Sequence, residues 1–242
     1  ADLDVSAKGV GTPLHAAGMI GNLDIARYLL EKGAAPNAII PADPEIGIPP
    51  GTTLLHYATE NDRVKLARLV LEHGANVDAR RGGGGTALHI AVSTGAKHAG
   101  ELVELLLAKG AEVNARNDGK ATPLHAAAMT GDPEIVRRLI QKGADVNARE
   151  NFDITALHWA ALHGHRDVAA ALIEAGANVN ARRQDGLTPL HFAAQEGNVD
   201  VLKLLLEEGA DPTAKDEKGQ TPLDVADPSV KPLLKAAPET AA

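Results

Sequence analysis

The sequence contains no cysteine and very few aromatic residues. Only 2% of its 242 residues are aromatic although 44% are hydrophobic, so its core must consist mainly of Ala, Leu, Val and Ile. The lack of cysteine excludes disulfide bonds, thiolate zinc sites and thiol catalysis. No apolar run approaches the ~18 residues of a membrane-spanning helix. No signal-peptide pattern begins at Ala1, although a trimmed N-terminus would hide one. The net charge of −8 argues against a nucleic-acid-binding protein, which needs a basic surface.

What the chain does contain is a repeated unit, which is clearest between Asn117 and Arg149. Its sequence is Thr-Pro-Leu-His-Ala-Ala-Ala from position 122, then Gly-Asp-Pro-Glu-Ile-Val from 131, and Gly-Ala-Asp-Val-Asn-Ala from 143. A fixed period of this kind indicates a repeat architecture. The first threonine of the unit recurs at steps of 41, 33, 36, 33, 33 and 33 residues, at Thr12, Thr53, Thr86, Thr122, Thr155, Thr188 and Thr221.

Each unit has the local signals of two short helices. Thr122 followed by Pro123 is typical of a helix start, where the side-chain oxygen caps free amides and proline fits the first turn. Asp132 and Pro133 give the same signal for a second helix, and Gly143 predicts a left-handed C-terminal cap. Helices this short are not stable alone in water, so each unit must pack against its neighbours as a solenoid.

This combination of motifs and spacing resembles the ankyrin repeat, over about residues 1–237. The resemblance implies an all-α solenoid of helix–turn–helix pairs joined by extended finger turns, whose concave face binds proteins. We therefore expect a single ankyrin-repeat domain over residues 1–242. We interpret residues 1–11 as the finger of a partial upstream repeat and residues 238–242 as a frayed tail.

Two steps of the repeat are longer than the others. Eight extra residues enlarge the finger at 38–50, which contains four isoleucines and four prolines. Two interpretations remain open: the isoleucines fold onto a neighbouring repeat, or the finger is a hook that contacts a partner. Three extra residues within 93–100 predict a longer turn between paired helices. The glycines at 82–85 lack the Lys-Ser/Thr of a phosphate-binding loop and predict only a flexible turn.

Histidine is frequent, but its pattern indicates structure and not chemistry. Six of the ten histidines occupy one position of the repeat, which predicts a ring hydrogen bond to the backbone of the turn. These six are His15, His56, His89, His125, His158 and His191. The spacing of His158, His163 and His165 does not give a zinc-binding set. We expect no catalytic residues, no metal site and no cofactor, and therefore no enzyme.

In a solenoid the positions that vary between repeats are the candidates for binding. Both phenylalanines and the single tryptophan lie within the fifth repeat and the start of the sixth. Aromatic anchors dominate the energetics of protein interfaces. An alternative for Trp159 and Phe192 is that they fill the seam between two repeats. The predicted protein-binding site, here called the fifth-repeat patch, consists of Met129, Phe152, Ile154, Trp159, Leu162, His163, Leu187 and Phe192.

A second candidate surface is a cation that recurs six residues before the threonine. It could bind an acidic peptide through bidentate Arg–carboxylate pairs. Alternatively, each cation neutralises carboxylates of its own finger, which contributes little stability at an exposed site. This basic column consists of Arg80, Arg116, Arg149, Arg182 and Lys215.

The expected function is a non-catalytic scaffold that binds a protein or peptide on the concave face formed by the fingers and first helices. We expect a monomer without nucleic-acid or membrane partners. Three alternatives remain open: a regulatory domain cut from a larger, possibly enzymatic protein, an engineered ankyrin binder, or a small-molecule sensor with a deep pocket at Trp159. The sequence names no partner and leaves the localisation unknown, with a weak preference for a soluble cytoplasmic protein.

Overall fold

The computed structural model describes residues 3–6, 11–43, 45 and 47–236 of the chain. Within these ranges the regular structure is helical apart from two isolated β-bridges, which confirms the all-α prediction. Of the predicted upstream finger, residues 3–6 and 11 are described, and the predicted tail, 238–242, lies outside the described residues. The chain forms two compact units, Ala1–Asp118 and Gly119–Ala242, called here the first and second units.

The first unit contains three helix pairs. The first helices of the pairs, α1, α3 and α5, pack side by side, and the second helices, α2, α4 and α6, form another layer. The bounds are α1 Pro13–Ile20, α2 Leu23–Glu31, α3 Leu54–Glu60, α4 Val64–Glu72, α5 Ala87–Ser93 and α6 Ala99–Ala108. The gap between α5 and α6 is the longer turn that the sequence predicted.

The second unit contains four helix pairs with the same two layers. A short 3-10 turn, Asn151–Asp153, lies in the finger before the second pair. The bounds are α7 Pro123–Thr130, α8 Pro133–Gln141, α9 Ala156–Leu162, α10 Arg166–Glu174, α11 Pro189–Gln195, α12 Val199–Glu207, α13 Pro222–Val225 and α14 Lys231–Ala236. The helix starts predicted at Thr122 and Asp132 are confirmed, and Gly143 has the left-handed φ of 89° that its C-cap role requires.

A threonine and a histidine begin every first helix from the first to the sixth repeat; we call this pair the Thr–His frame. In the fifth repeat the backbone N–H of Thr155 donates to His158 Nδ1 at 3.2 Å, as the sequence predicted. On the other side of the ring, His158 Nε2 donates to the carbonyl of Leu187 in the next finger at 3.2 Å. Since a carbonyl can only accept, Nε2 carries the proton. Because Nδ1 accepts from the N–H of Thr155, it carries no proton, and the ring is neutral. The same bond from Nε2 to a carbonyl of the following finger is made by His15, His56, His125 and His191, so these histidines join their own helix caps to the following fingers.

Burial lowers the pKa of four of these histidines: His15, His56, His158 and His191. It lowers the pKa of His158 to about 4, with the charge of Arg149 acting in the same direction and the bond to Leu187 opposing it. The pKa of His56 is also lowered to about 4, again mainly by burial. In the seventh repeat Asp224 replaces the histidine, and its Oδ2 accepts from the backbone and hydroxyl of Thr221 at 2.8 and 2.7 Å. The carboxylate keeps the cap but has no proton to donate to a further finger.

The core consists of small aliphatic side chains, as the composition predicted. In the second unit the same leucine and alanine positions are completely or almost completely buried in successive first helices. Burying one such leucine contributes roughly 1.5–3 kcal/mol. The core residues at these positions are Leu124, Leu157, Leu190, Ala127, Ala160 and Ala193.

The enlarged finger of the first unit is a small hairpin with one anchored isoleucine. Ile40 is fully buried and its N–H donates to the carbonyl of Thr52 at 2.7 Å, whereas Ile39 is 60% exposed. Farther along, Asp43 and Ile48 exchange two backbone hydrogen bonds. The finger thus uses one isoleucine to hold itself in place and presents another to solvent.

Candidate functional site

The fifth-repeat patch lies in the second unit, where a finger meets the first helices. Phe152 and Ile154 belong to the finger, whereas Trp159 and Leu162 project from α9 and His163 caps its C-terminal end. Phe152 and His163 are exposed, and the other three are half-buried. The structure therefore places these five residues on two adjoining elements of one repeat.

Phe152 has an unfavourable backbone and an exposed ring. Its φ and ψ are 63° and 19°, and the next residue, Asp153, has a φ of 60°. Side chains other than glycine cost roughly 1–2 kcal/mol in this left-handed region. In the sixth repeat the matching turn uses Asp185 followed by Gly186, and only the glycine has a positive φ, of 84°. The Phe152 ring nevertheless remains 63% exposed, so burial of the ring does not offset this strain.

Trp159 is held by two polar neighbours. Its indole Nε1 donates to Glu150 Oε1 at 2.7 Å, and its ring lies nearly parallel to that of His163, with 6.0 Å between centroids and 12° between planes. The hydrogen bond fixes the edge of the indole, and the stacking limits its rotation. A partly exposed tryptophan with a fixed orientation is a suitable anchor for a partner, because little side-chain entropy remains to be lost.

Glu150 is a half-buried carboxylate at the start of the finger turn. Burial raises its pKa, and the hydrogen bond from Trp159 opposes this change only in part. In the described part of the chain no cation lies within ion-pair distance of Glu150. The cation next to it in sequence, Arg149, pairs with Asp153 at 3.7 Å, and Arg183, at the corresponding position of the sixth repeat, pairs with Asp185 at 3.4 Å.

Phe192 supports the seam interpretation. Its ring meets the ring of His158 edge-on at 5.5 Å, and the guanidinium of Arg183 lies 5.9 Å from its centroid. Phe192 therefore packs against the preceding repeat and is only partly open to solvent. At the edges of the patch, Leu187 is half-buried, and Met129 is 43% exposed in α7.

A shallow depression of about 190 Å³ adjoins the patch at Phe152. Arg183, Gln184, Asp185 and Glu217 form the rest of its lining. Small-molecule sites usually enclose about 300–1,000 Å³. Its small size makes it better suited to one side chain of a partner than to a metabolite.

The basic column has structural partners where the structure describes them. Arg149 donates to the carbonyl of Arg182 at 3.3 Å, and Arg182 donates to the carbonyl of Lys215. In the first unit Arg80 donates to the carbonyl of Arg116. These arginines thus join one finger to the next, while all five side chains of the column remain exposed.

Comparison with known families decides the class of the protein. Profiles described as ankyrin repeats (3 copies) match residues 1–81, 37–117 and 88–183, and one described as ankyrin repeats (many copies) matches residues 172–226. The chain belongs to the ankyrin-repeat family. The helix pairs of both units are therefore ankyrin repeats, and the fold class predicted from the motifs is confirmed.

Two curated ankyrin-repeat proteins illustrate the similarity. The mouse B-cell lymphoma 3 protein homolog is 36% identical over 94 residues, which cover 39% of this chain and 19% of that protein. The human ankyrin repeat and SOCS box protein 18 is 39% identical over 87 residues, which cover 36% of this chain and 17% of that protein. In both cases the matched segment is less than a fifth of the relative's own length.

Ankyrin repeats generally mediate protein–protein interaction, and the family is typically non-catalytic. Among the residues that the structure describes, no group of three or more histidine, aspartate or glutamate side chains could hold a metal ion. The rings of His163 and His165 lie 5.8 Å apart, but they do not belong to such a group. No helix in the described ranges is long and apolar enough to cross a membrane.

Glu150 is the residue of this ankyrin site that the sequence analysis missed. It lies five residues before its threonine, and that position holds Arg81 in the third repeat and Arg183 in the sixth. The side chain at this position can reach a first helix: Arg81 pairs with Glu60 of α3 at 2.9 Å, and the guanidinium of Arg183 lies 5.9 Å from the ring centroid of Phe192 in α11. The change from a cation to an anion at 150 is visible in the sequence and could have pointed to the site.

Proposed function

We propose that the protein is a non-catalytic interaction module that binds a protein or peptide segment on the fifth-repeat patch. The observation that carries this proposal is Phe152, an exposed aromatic residue in a left-handed backbone conformation. Neither its exposure nor its backbone favours folding. A role in binding accounts for both, because a strained finger turn presents the ring in one fixed place.

The surroundings of Phe152 support the same interpretation. An exposed aromatic residue and a half-buried tryptophan in one repeat resemble the anchors that contribute most binding energy in protein interfaces. Ile154 and Leu162, both half-buried, add apolar surface to the patch. The shallow depression of about 190 Å³ offers room for one side chain, which favours an extended contact over a small-molecule pocket.

The basic column is the weaker candidate surface. Arg149 and Arg182 already donate to backbone carbonyls, and an acidic peptide would have to compete for the same guanidinium groups. Binding at the patch needs no such exchange. We further propose that the protein acts as a monomer and without nucleic acid, in keeping with its net charge of −8.

A second candidate function is that of a targeting or regulatory part of a larger protein. The matched relatives favour it, because the shared segments make up only 19% and 17% of their lengths. In that case the patch would bind either a separate partner or another part of the same protein.

The proposal is tested by peptide selection followed by affinity measurement. Peptides enriched on the wild-type protein from a random display library are synthesised, and their Kd values are measured by calorimetry for Phe152→Ala and Ile20→Ala. Ile20 is a matched control, since it is a large apolar side chain that is 82% exposed in the first unit. We expect Phe152→Ala to weaken binding about 30-fold, as for a hot-spot residue contributing roughly 2 kcal/mol.

The control variant should change the affinity less than about twofold, because it removes surface outside the patch. Equal affinities for the wild type and Phe152→Ala, with a loss only in Ile20→Ala, would move the site to the first unit. Circular dichroism of each variant establishes that it is folded before binding is measured.

A further inference from the structure

The charged groups around the fifth-repeat patch are not balanced. Arg149 and Arg183 each have a carboxylate partner, at 3.7 and 3.4 Å, but Glu150 has no cation among the residues that the structure describes. Its Oε1 accepts from Trp159, and within the same ranges its Oε2 accepts no hydrogen bond. A carboxylate that is half-buried and not compensated costs stability unless something else binds to it.

The groups next to this carboxylate restrict what it can bind. The indole of Trp159 lies against Glu150 at 2.7 Å, and the exposed ring of Phe152 belongs to the same finger turn. An acidic segment would be repelled by Glu150, whereas a cation would be attracted by this carboxylate and by the face of an aromatic ring.

We propose that the partner segment presents an arginine side chain that donates to Oε2 of Glu150 and packs beside the indole of Trp159. This inference rests on the proposed function and specifies the chemistry of the segment that the patch binds. A planar guanidinium donates to a carboxylate in a fixed geometry and stacks on aromatic rings. A guanidinium is also more weakly hydrated than the ammonium group of lysine, so its desolvation on entering a half-buried site costs less free energy.

The structure also explains why this arginine must come from a partner. At the corresponding position of the sixth repeat the chain supplies its own guanidinium: Arg183 lies 5.9 Å from the centroid of Phe192 and 3.4 Å from Asp185. In the fifth repeat the ring is present as Trp159 and the carboxylate as Glu150, but the guanidinium is missing. The partner's arginine completes in the fifth repeat the arrangement that the sixth repeat makes internally.

The single tryptophan of the chain makes the site directly observable. The probes are three acetylated and amidated pentapeptides of leucine whose central residue is arginine, citrulline or glutamate. Citrulline keeps the shape of arginine but lacks its charge. Each probe is titrated into the protein while Trp159 fluorescence and the indole N–H resonance are recorded. We expect the arginine probe to give a saturable change in these signals. The citrulline probe should bind with an affinity at least about tenfold lower, because it loses a charge-assisted hydrogen bond.

Two variants complete the test. Glu150→Gln keeps an acceptor for Trp159 Nε1 but removes the charge, and should lower the affinity for the arginine probe about tenfold or more. Glu174→Gln removes an equal charge from the exposed end of α10 and should leave the affinity unchanged within about twofold.

The outcomes separate this inference from the proposed function. If all three probes bind equally and Glu150→Gln has no effect, the patch binds peptides but the arginine proposal is wrong. Preference for the glutamate probe overturns it as well and favours the basic column. If no probe changes the Trp159 signals at millimolar concentration, both the arginine proposal and the proposed site fail.

Discussion

The fifth and sixth repeats of the second unit share one frame but differ in what they present to solvent. Thr155 and Thr188 begin their first helices in the same way, and His158 and His191 both donate to the carbonyl of the following finger at 3.2 Å. These residues are buried in both repeats. The parts that hold one repeat to the next are therefore the same.

The exposed parts of the two repeats are opposite in character. The sixth repeat has glycine at its left-handed position, Gly186, and an internal pair of Arg183 with Asp185. The fifth repeat has Phe152 and Asp153 in left-handed conformations, and Glu150 has no cation in the described residues. The sixth repeat thus has neither the left-handed non-glycine residues nor the half-buried carboxylate without a cation that the fifth repeat has. Its own unfavourable feature is the buried Nε of Arg183, which has no hydrogen-bond partner among the residues that the structure describes. Of the two repeats, the fifth has backbone strain where we propose that the partner binds.

The largest expected effect concerns the shared frame and its response to acid. The folded-state pKa of His158 is about 4, lower than the 6.5 of an unperturbed histidine, so the unfolded chain takes up the proton first as pH falls. The contribution of neutral His158 to the free energy of unfolding is therefore complete above about pH 6.5 and is lost as pH falls toward 4. For His158 it amounts to the order of 3 kcal/mol, of which about 2 kcal/mol is lost by pH 5. Burial lowers the pKa of His191 in the same direction.

Urea unfolding between pH 7.5 and pH 5 measures this effect, and NMR titration of the histidine ring protons assigns it. A His158→Gln variant should be less stable at pH 7.5 and should show a smaller loss on acidification. Stability that is constant or rises as pH falls over this range would show that the frame is not held by neutral histidines.

A smaller effect distinguishes the charges of the two repeats. Because burial raises the pKa of Glu150, its ionised form disfavours folding above the unfolded pKa. Glu150→Gln should therefore increase the free energy of unfolding at pH 7, by less than about 1 kcal/mol because solvent screens a half-exposed group. Arg183→Gln, the matched change in the sixth repeat, removes a paired charge and should give no increase. Urea unfolding of both variants decides this, and a loss of stability in Glu150→Gln would assign the carboxylate a structural role.

Much of this architecture could be predicted from the sequence because it repeats. The threonine and histidine of the Thr–His frame recur at steps of 33 to 41 residues, and their cap hydrogen bonds, such as that of Thr122 with His125, join residues only three positions apart. Phe152 was included in the predicted patch because both phenylalanines and the single tryptophan of the chain cluster there. Its left-handed backbone could not be predicted, because no glycine marks the position.

The remaining features depend on contacts between different parts of the structure. Glu150 meets Trp159 only when the finger folds back over α9, so the pair is not evident in a linear motif. The regular spacing of Arg149 and Arg182 left open whether they bind an acidic peptide or neutralise carboxylates of their own fingers. In the structure their guanidinium groups reach carbonyls of the next finger. That finding depends on the distance between repeats, which spacing in the sequence does not give.

The central claim is that the fifth repeat gives up stability in order to bind. It is tested most directly by installing the turn of the sixth repeat, Phe152→Asp with Asp153→Gly, and measuring two quantities on the same sample. These are the free energy of unfolding in urea and the Kd for a display-selected peptide. We predict that the free energy of unfolding rises by about 1–2 kcal/mol as the left-handed strain is relieved. The affinity should fall about 30-fold or more as the anchor is lost. Lower stability with unchanged affinity would contradict the account, because Phe152 would then serve folding and not binding.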